Sequence, residues 1–99
     1  MTVYVIAQLW IHDRERYDRY VAGFMPVLIR YGGRLLAADE TTETLEGAWT
    51  ADKVVVIAFP GRAAADRWRT SAAYREISKD RQAATEGQVL LVHGIDATR

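Results

Sequence analysis

The stretch TVYVIAQLW, residues 2–10, predicts a β-strand that is apolar on both faces. Successive side chains of a strand point to opposite sides of the sheet. One side receives Val3, Val5, Ala7 and Leu9. The other side receives Tyr4, Ile6, Gln8 and Trp10, of which only Gln8 lacks a large apolar surface. An antiparallel sheet with one face in water alternates more cleanly than this, so we expect both faces to be covered.

Three further segments have strand character, at residues 33–39, 53–59 and 88–95. The run from Val54 to Phe59 is the most β-prone in the chain, and it predicts a central strand. Gly87 is expected to precede the last strand.

The first helix is predicted to begin after Asp13, which can cap it, and to end at Gly32-Gly33. Between these limits one apolar stripe recurs at helical spacing, formed by Tyr17, Tyr20, Val21, Phe24, Leu28 and Tyr31. Because Pro26 removes a single amide donor, we expect one kinked helix rather than two separate ones.

A second helix is predicted to begin near Arg62 and to bury Ala65 and Trp68. Ser71 can cap a further helical segment, in which Tyr74 and Ile77 share one side. The element order is therefore βαββαβ.

This order predicts an α+β fold, a ferredoxin-like sandwich formed by residues 1–99 as a single domain. With right-handed crossovers, the first and third strands lie at the centre of a four-stranded antiparallel sheet and both helices cover one face. The other face needs a partner, and a second copy of the chain would supply one by packing sheet against sheet. Either Val54 and Val56 or Val55 and Ile57 would then lie in the interface, since one parity faces the helices.

Composition excludes several classes of function. Thirteen basic and thirteen acidic residues give a formal net charge of zero, which argues against recruitment by nucleic acid or by an anionic membrane. The chain has no cysteine, which excludes disulfides, thiolate catalysis and cysteine metal sites. There is no apolar run of about 20 residues and no secretory signal pattern, so we expect a cytoplasmic protein. We also expect no cofactor and no metal.

The histidines and the acidic residues give weak signals. His93 in the last strand has the pattern of a half-buried strand residue, or alternatively of a base in an apolar cavity. His12 lies at a strand-to-helix boundary, where a capping or solvent-facing role is expected. The carboxylates at positions 39, 40, 43 and 46 lack calcium-loop spacing and favour a solvated acidic loop.

The aromatic residues of the helices carry the strongest functional hypothesis. Core packing accounts for most of them, and the alternative is a pocket between helices and sheet that holds a small aromatic or carboxylate ligand. An arginine would pair with the carboxylate while the indole stacks on its ring. The candidate ligand-binding residues are Arg34, Trp68, Tyr74, Arg81 and His93.

A series of motifs along the whole chain resembles the family catalogued as domain of unknown function 1330, within the dimeric α/β-barrel superfamily. The motifs are residues 4–8, Asp13, Tyr17, Tyr20, residues 31–34, residues 45–47, Trp49, residues 59–60, Ala65, Trp68, Ser71, Tyr74 and Arg81. The resemblance implies a ferredoxin-like protomer whose sheet packs on a second copy. It implies no catalytic residues, because the family has no established reaction.

Three hypotheses of function remain at this point. The first is a small homodimeric protein that binds an apolar or aromatic metabolite. The second is a cofactor-independent monooxygenase or isomerase, by analogy with other branches of the superfamily. The third is a structural or regulatory dimer without a ligand.

Overall fold

The computed structural model describes residues 1–95. Residues 1–95 form four strands and three helices, and the second predicted helix is divided in two at Ser71. The elements are β1 (Val3–Ile11), α1 (Arg14–Arg30), β2 (Arg34–Asp39), β3 (Lys53–Phe59), α2 (Arg62–Thr70), α3 (Ala72–Ala84) and β4 (Thr85–His93).

The strands form one antiparallel sheet in the order β2-β3-β1-β4, which confirms the ferredoxin-like prediction with β1 and β3 at the centre. In the register, Val5 of β1 lies opposite Ile57 of β3 and Leu91 of β4. These three side chains therefore share one face, since opposed residues of paired strands point the same way.

All three helices pack on that face, which we call the helix face. Val3, Val5 and Leu9 of β1 are buried there. The corresponding residues of β3 are buried there too: Val55, Ile57 and Phe59. The core between the layers also contains Tyr17, Tyr20, Phe24, Trp68 and Tyr74 from the helices. In the two central strands, β1 and β3, alternate residues are therefore buried against the helices, as the alternation in β1 predicted.

The predicted helix termini are confirmed in detail. The Asp13 carboxylate accepts a hydrogen bond from the Arg16 amide at 3.2 Å, and the Ser71 hydroxyl accepts one from the Tyr74 amide at 3.1 Å. α1 continues through Pro26 as one helix and ends before Gly32, which adopts a left-handed backbone with φ of 80°.

The start of the last strand differs from the prediction. β4 begins at Thr85, directly after α3, and Gly87 lies inside it opposite Leu9. A Cβ at Gly87 would collide with the Gln8 carbonyl oxygen. The glycine therefore permits close approach of two backbones rather than a turn.

β2 contains a bulge that the sequence did not reveal. The register shifts between Leu35 and Ala37, so Leu35 lies opposite Ile57 while Ala38 lies opposite Val55. Both residues consequently reach the helix face although they are three positions apart. Arg34 lies opposite Ala58 and belongs to the other face.

The other face of the sheet, here called the open face, has no helix on it within residues 1–95. Its apolar residues include Leu90 and Val92, which are 59% and 39% exposed, and Val54 and Val56, which are half-buried. The burial pattern thus assigns Val54 and Val56 to the open face and Val55 and Ile57 to the helices.

Within the part of the chain that the structure describes, no helix is both long enough and apolar enough to cross a membrane.

Candidate functional site

A cavity of about 110 Å³ lies between the helices and the sheet. All seven elements contribute to its lining, which is mostly apolar. Val21, Met25, Leu35 and Val89 line the cavity and are also exposed on the protein surface, so the cavity opens to solvent. Its position is the one that the sequence predicted for a pocket between the two layers.

Two tyrosines place hydroxyl groups in this apolar layer. Tyr20 of α1 and Tyr74 of α3 both line the cavity, and their hydroxyl oxygens are 2.9 Å apart in a buried hydrogen bond. Burial, followed by the proximity of Tyr74, raises the pKa of Tyr20 far above its ordinary value. Because one hydroxyl donates to the other, one O–H of the pair remains available to a further acceptor.

Replacing Tyr20 with phenylalanine should make the protein less sensitive to alkaline pH. The raised pKa keeps Tyr20 protonated in the folded protein, whereas the unfolded chain loses this proton above pH about 10. The wild type should therefore lose about 1.4 kcal/mol of folding free energy per pH unit above 10 from this group, and Tyr20→Phe should not.

Urea denaturation between pH 8 and 11 measures this difference. At pH 8 both proteins should show a flat pH dependence, with the variant less stable by about 0.5–1.5 kcal/mol for the lost hydrogen bond. Equal declines in both proteins above pH 10 would contradict the assignment.

Trp68 forms the inner wall of the cavity and is only 3% exposed. Its ring centroid lies 4.1 Å from that of Tyr74 and 5.2 Å from that of Phe59. The indole Nε1 is buried and has no hydrogen-bond partner among residues 1–95. A buried donor without an acceptor costs about 1–3 kcal/mol. Such a group beside a cavity is a feature to be explained by what the cavity holds.

Two cations also border the cavity. The Arg81 guanidinium lies 5.9 Å from the centre of the Tyr20 ring, in a half-buried position. Lys53, at the first position of β3, is only 8% exposed, and its Nζ lies 4.8 Å from the centre of the Tyr17 ring. Lys53 is not among the predicted ligand-binding residues, although strand alternation from Val55 and Ile57 would have placed it on the helix face.

Glu40 connects Lys53 to the protein surface. Its carboxylate accepts two hydrogen bonds from Arg14, at 2.6 and 3.2 Å, and lies 3.7 Å from Lys53 Nζ. These hydrogen bonds from Arg14, with a smaller contribution from Lys53, lower the pKa of Glu40. The carboxylate is therefore ionised at neutral pH and is held mainly by the arginine.

The structure brings together three of the five residues predicted for the site. Trp68, Tyr74 and Arg81 line the cavity, whereas Arg34 and His93 are not among the described lining residues. Arg34 points to the open face, and His93 is exposed at the end of β4 opposite Val3. The place of these two residues relative to the cavity follows from the strand register, which the sequence alone does not give.

The sequence of this chain matches a known protein family. The family described as Domain of unknown function (DUF1330) matches residues 2–95. The chain belongs to this family. The match covers almost all of the chain, so the DUF1330 domain includes every residue of the cavity. Among curated proteins, none matches this DUF1330 sequence.

Solved structures similar to this DUF1330 protein share its fold at low sequence identity. A protein of unknown function from Rhodopseudomonas palustris has a TM-score of 0.82 and 21% identity, covering 96% of this chain and 83% of its own. A dimeric ferredoxin-like protein of unknown function from Jannaschia sp. CCS1 has a TM-score of 0.71 and 12% identity, covering 95% and 100%.

A third similar structure is that of SnoaB, a cofactor-independent oxygenase from Streptomyces nogalater. Its TM-score is 0.68 at 11% identity, over 97% of this chain and 95% of its own. At this identity the similarity establishes a common fold and leaves the activity of the DUF1330 protein to be argued from its own residues.

Proposed function

We propose that this DUF1330 protein is a homodimer that binds a small apolar or aromatic molecule, carrying a hydrogen-bond acceptor, in the cavity between helices and sheet. The proposal is carried by the indole N–H of Trp68, which is buried without a hydrogen-bond partner among residues 1–95 on a ring that lines the mostly apolar cavity. A ligand oxygen placed beside Nε1 would remove the cost of leaving this donor without an acceptor.

The cavity has the size and chemistry of a site for a one-ring molecule. A dry, apolar protein cavity of about 150 Å³ accepts benzene, and the present cavity is about 110 Å³ and open to solvent. The rings of Trp68 and Tyr74 provide a stacking surface, and the tyrosine O–H that is not used between Tyr20 and Tyr74 is a further donor on residues that line the cavity. A few polar groups in an apolar pocket are typical of ligand sites.

The dimer part of the proposal is supported by the open face. Apolar residues of β1, β3 and β4 lie side by side on it, and a second copy buries them by packing sheet against sheet. The structural similarity to a dimeric ferredoxin-like protein agrees with this arrangement.

A second candidate function is cofactor-independent oxygenation or isomerisation. The indole N–H and the tyrosine O–H, which would bind the carbonyl oxygen of a ligand, would stabilise the oxygen of its enolate more strongly. The reason is that negative charge develops on that oxygen where bulk water is absent. The fold shared with SnoaB supports this candidate, and turnover of a bound carbonyl compound would distinguish it from simple binding. A dimer without any ligand is the remaining alternative, and the open cavity argues against it.

Two probes of nearly equal shape test the role of the indole N–H. Benzaldehyde carries an acceptor oxygen and toluene does not, so the wild type should bind benzaldehyde more tightly. Trp68→Phe keeps an aromatic ring but removes the N–H. It should weaken the binding of benzaldehyde about 2- to 12-fold relative to the binding of toluene. Titration calorimetry or NMR titration measures the four affinities.

The control for this experiment is Arg75→Ala, which changes an exposed arginine on the same helix as Tyr74 and should leave both affinities unchanged. Failure of every one-ring probe, charged or uncharged, to bind the wild type at millimolar concentration would refute a one-ring ligand site. An unchanged ratio of affinities in Trp68→Phe would refute the role of the N–H.

A further inference from the structure

We infer that Lys53 makes this cavity selective for anionic ligands, with its ammonium group paired to the ligand carboxylate at the end of the cavity next to α1. The inference rests on the proposed function and names the class of its ligand. It assigns the selectivity to a residue that the sequence motifs did not include.

Lys53 is buried to an extent that is unusual for a lysine. It is 8% exposed, and its neighbours on the helix face of β3 and β1 are apolar, among them Val55 and Leu9. Lysine is almost never this buried unless its charge is paired. Its Nζ atom is not among the fully buried atoms without a hydrogen-bond partner in residues 1–95, so solvent reaches the ammonium group and an anionic ligand can take the place of that water.

The partners present in the protein are weak ones. Glu40 lies 3.7 Å from Nζ, which is too long for a hydrogen bond, and its carboxylate is already occupied by two hydrogen bonds from Arg14. The Tyr17 ring, 4.8 Å away, offers only a cation–π contact. Lys53 makes no hydrogen bond through Nζ within residues 1–95, so its three N–H donors are available to a ligand.

The position of Lys53 suits a ligand whose ring stacks in the cavity. Lys53, Val55 and Ile57 occupy alternate positions of β3 and line the cavity together. A carboxylate beside Lys53 can therefore belong to the same molecule as a ring placed over Val55. The other cation, Arg81, is half-buried and stacks on Tyr20, so a carboxylate paired with it would keep more of its water.

Benzoate and benzamide provide the matched test, since they share a shape and differ in charge. The wild type should bind benzoate at least 10-fold more tightly than benzamide at pH 7, in keeping with a charge-assisted hydrogen bond. Lys53→Met keeps the length of the side chain and removes its charge, and it should abolish the preference while benzamide still binds. Lys79→Met, at the exposed second lysine of the chain, is the matched control and should retain the preference.

Glu40→Gln gives an independent readout. Removing the negative charge 3.7 Å from Nζ should strengthen the binding of benzoate about 2- to 5-fold and leave the binding of benzamide unchanged. The Glu40 carboxylate repels only the anionic probe. If Lys53 had only a structural role, Glu40→Gln would not strengthen benzoate binding while Lys53→Met weakens it. Circular dichroism spectra and melting curves of each variant show that the comparison is made on folded protein.

The outcomes separate the inference from the proposed function. If toluene, benzaldehyde and benzamide bind but benzoate binds no better than benzamide, the inference is wrong and the proposed function stands. Loss of the preference in Arg81→Met rather than in Lys53→Met would likewise overturn it. If no probe binds to any protein, the proposed function itself fails.

Discussion

Replacing Trp68 with alanine is expected to lower the free energy of unfolding by about 3–5 kcal/mol, the range for deletion of a large buried aromatic side chain. Trp68 is 3% exposed and contacts the rings of Phe24, Phe59 and Tyr74, which come from α1, β3 and α3. The truncation therefore removes packing from both layers of the fold at once. Urea denaturation followed by circular dichroism measures the loss.

The Trp68→Phe variant separates packing from the indole N–H in this experiment. It should lose clearly less stability than Trp68→Ala, since it retains a ring and removes a buried donor that has no acceptor within residues 1–95. A loss below about 1 kcal/mol in Trp68→Ala would mean that the tryptophan does not hold α2 on the sheet.

Replacing Val56 with aspartate is expected to raise the dimer dissociation constant at least about 100-fold. Val56 lies on the open face at the centre of the sheet, between Ile6 on β1 and Ala37 on β2. Two unpaired carboxylates would then be buried near the centre of a sheet-to-sheet interface, at a cost of several kcal/mol. Sedimentation velocity over a concentration series from nanomolar to micromolar measures the change.

Ile29→Asp is the matched control, because Ile29 is 64% exposed on the outer side of α1. It introduces the same charge and should leave the dimer intact. A wild-type protein that sediments as a stable monomer at micromolar concentration would refute the dimer. A Val56→Asp protein that stays dimeric would place the interface elsewhere.

Local sequence patterns predicted the elements well, because each pattern concerns neighbours within one element. The Asp13 and Ser71 caps satisfy amides three residues away, so the residues that decide them are adjacent in sequence. The alternation in β1 predicted two apolar faces for the same reason. The prediction that Gly87 precedes the last strand was wrong, because a glycine before a strand and one that permits close contact with a neighbouring strand look alike in sequence.

The candidate site could be predicted only in part, since its geometry depends on pairs that lie far apart in the chain. Trp68 and Tyr74, which were selected from their place on the apolar side of a helix, line the cavity. The hydrogen bond between Tyr20 and Tyr74 joins residues 54 positions apart, and no local pattern reports it. Arg34 does not line this cavity, because its pairing with Ala58 places it on the open face.

The sequence by itself thus determined the βαββαβ order, the two apolar faces of the sheet and the caps at Asp13 and Ser71, all of which follow from contacts within a few residues. The tertiary structure alone decided which face of β3 meets the helices, that Lys53 is buried beside the cavity, and that Arg34 is not. The physical reason is that strand register and helix packing choose among locally equivalent arrangements, and only the assembled layers reveal the choice.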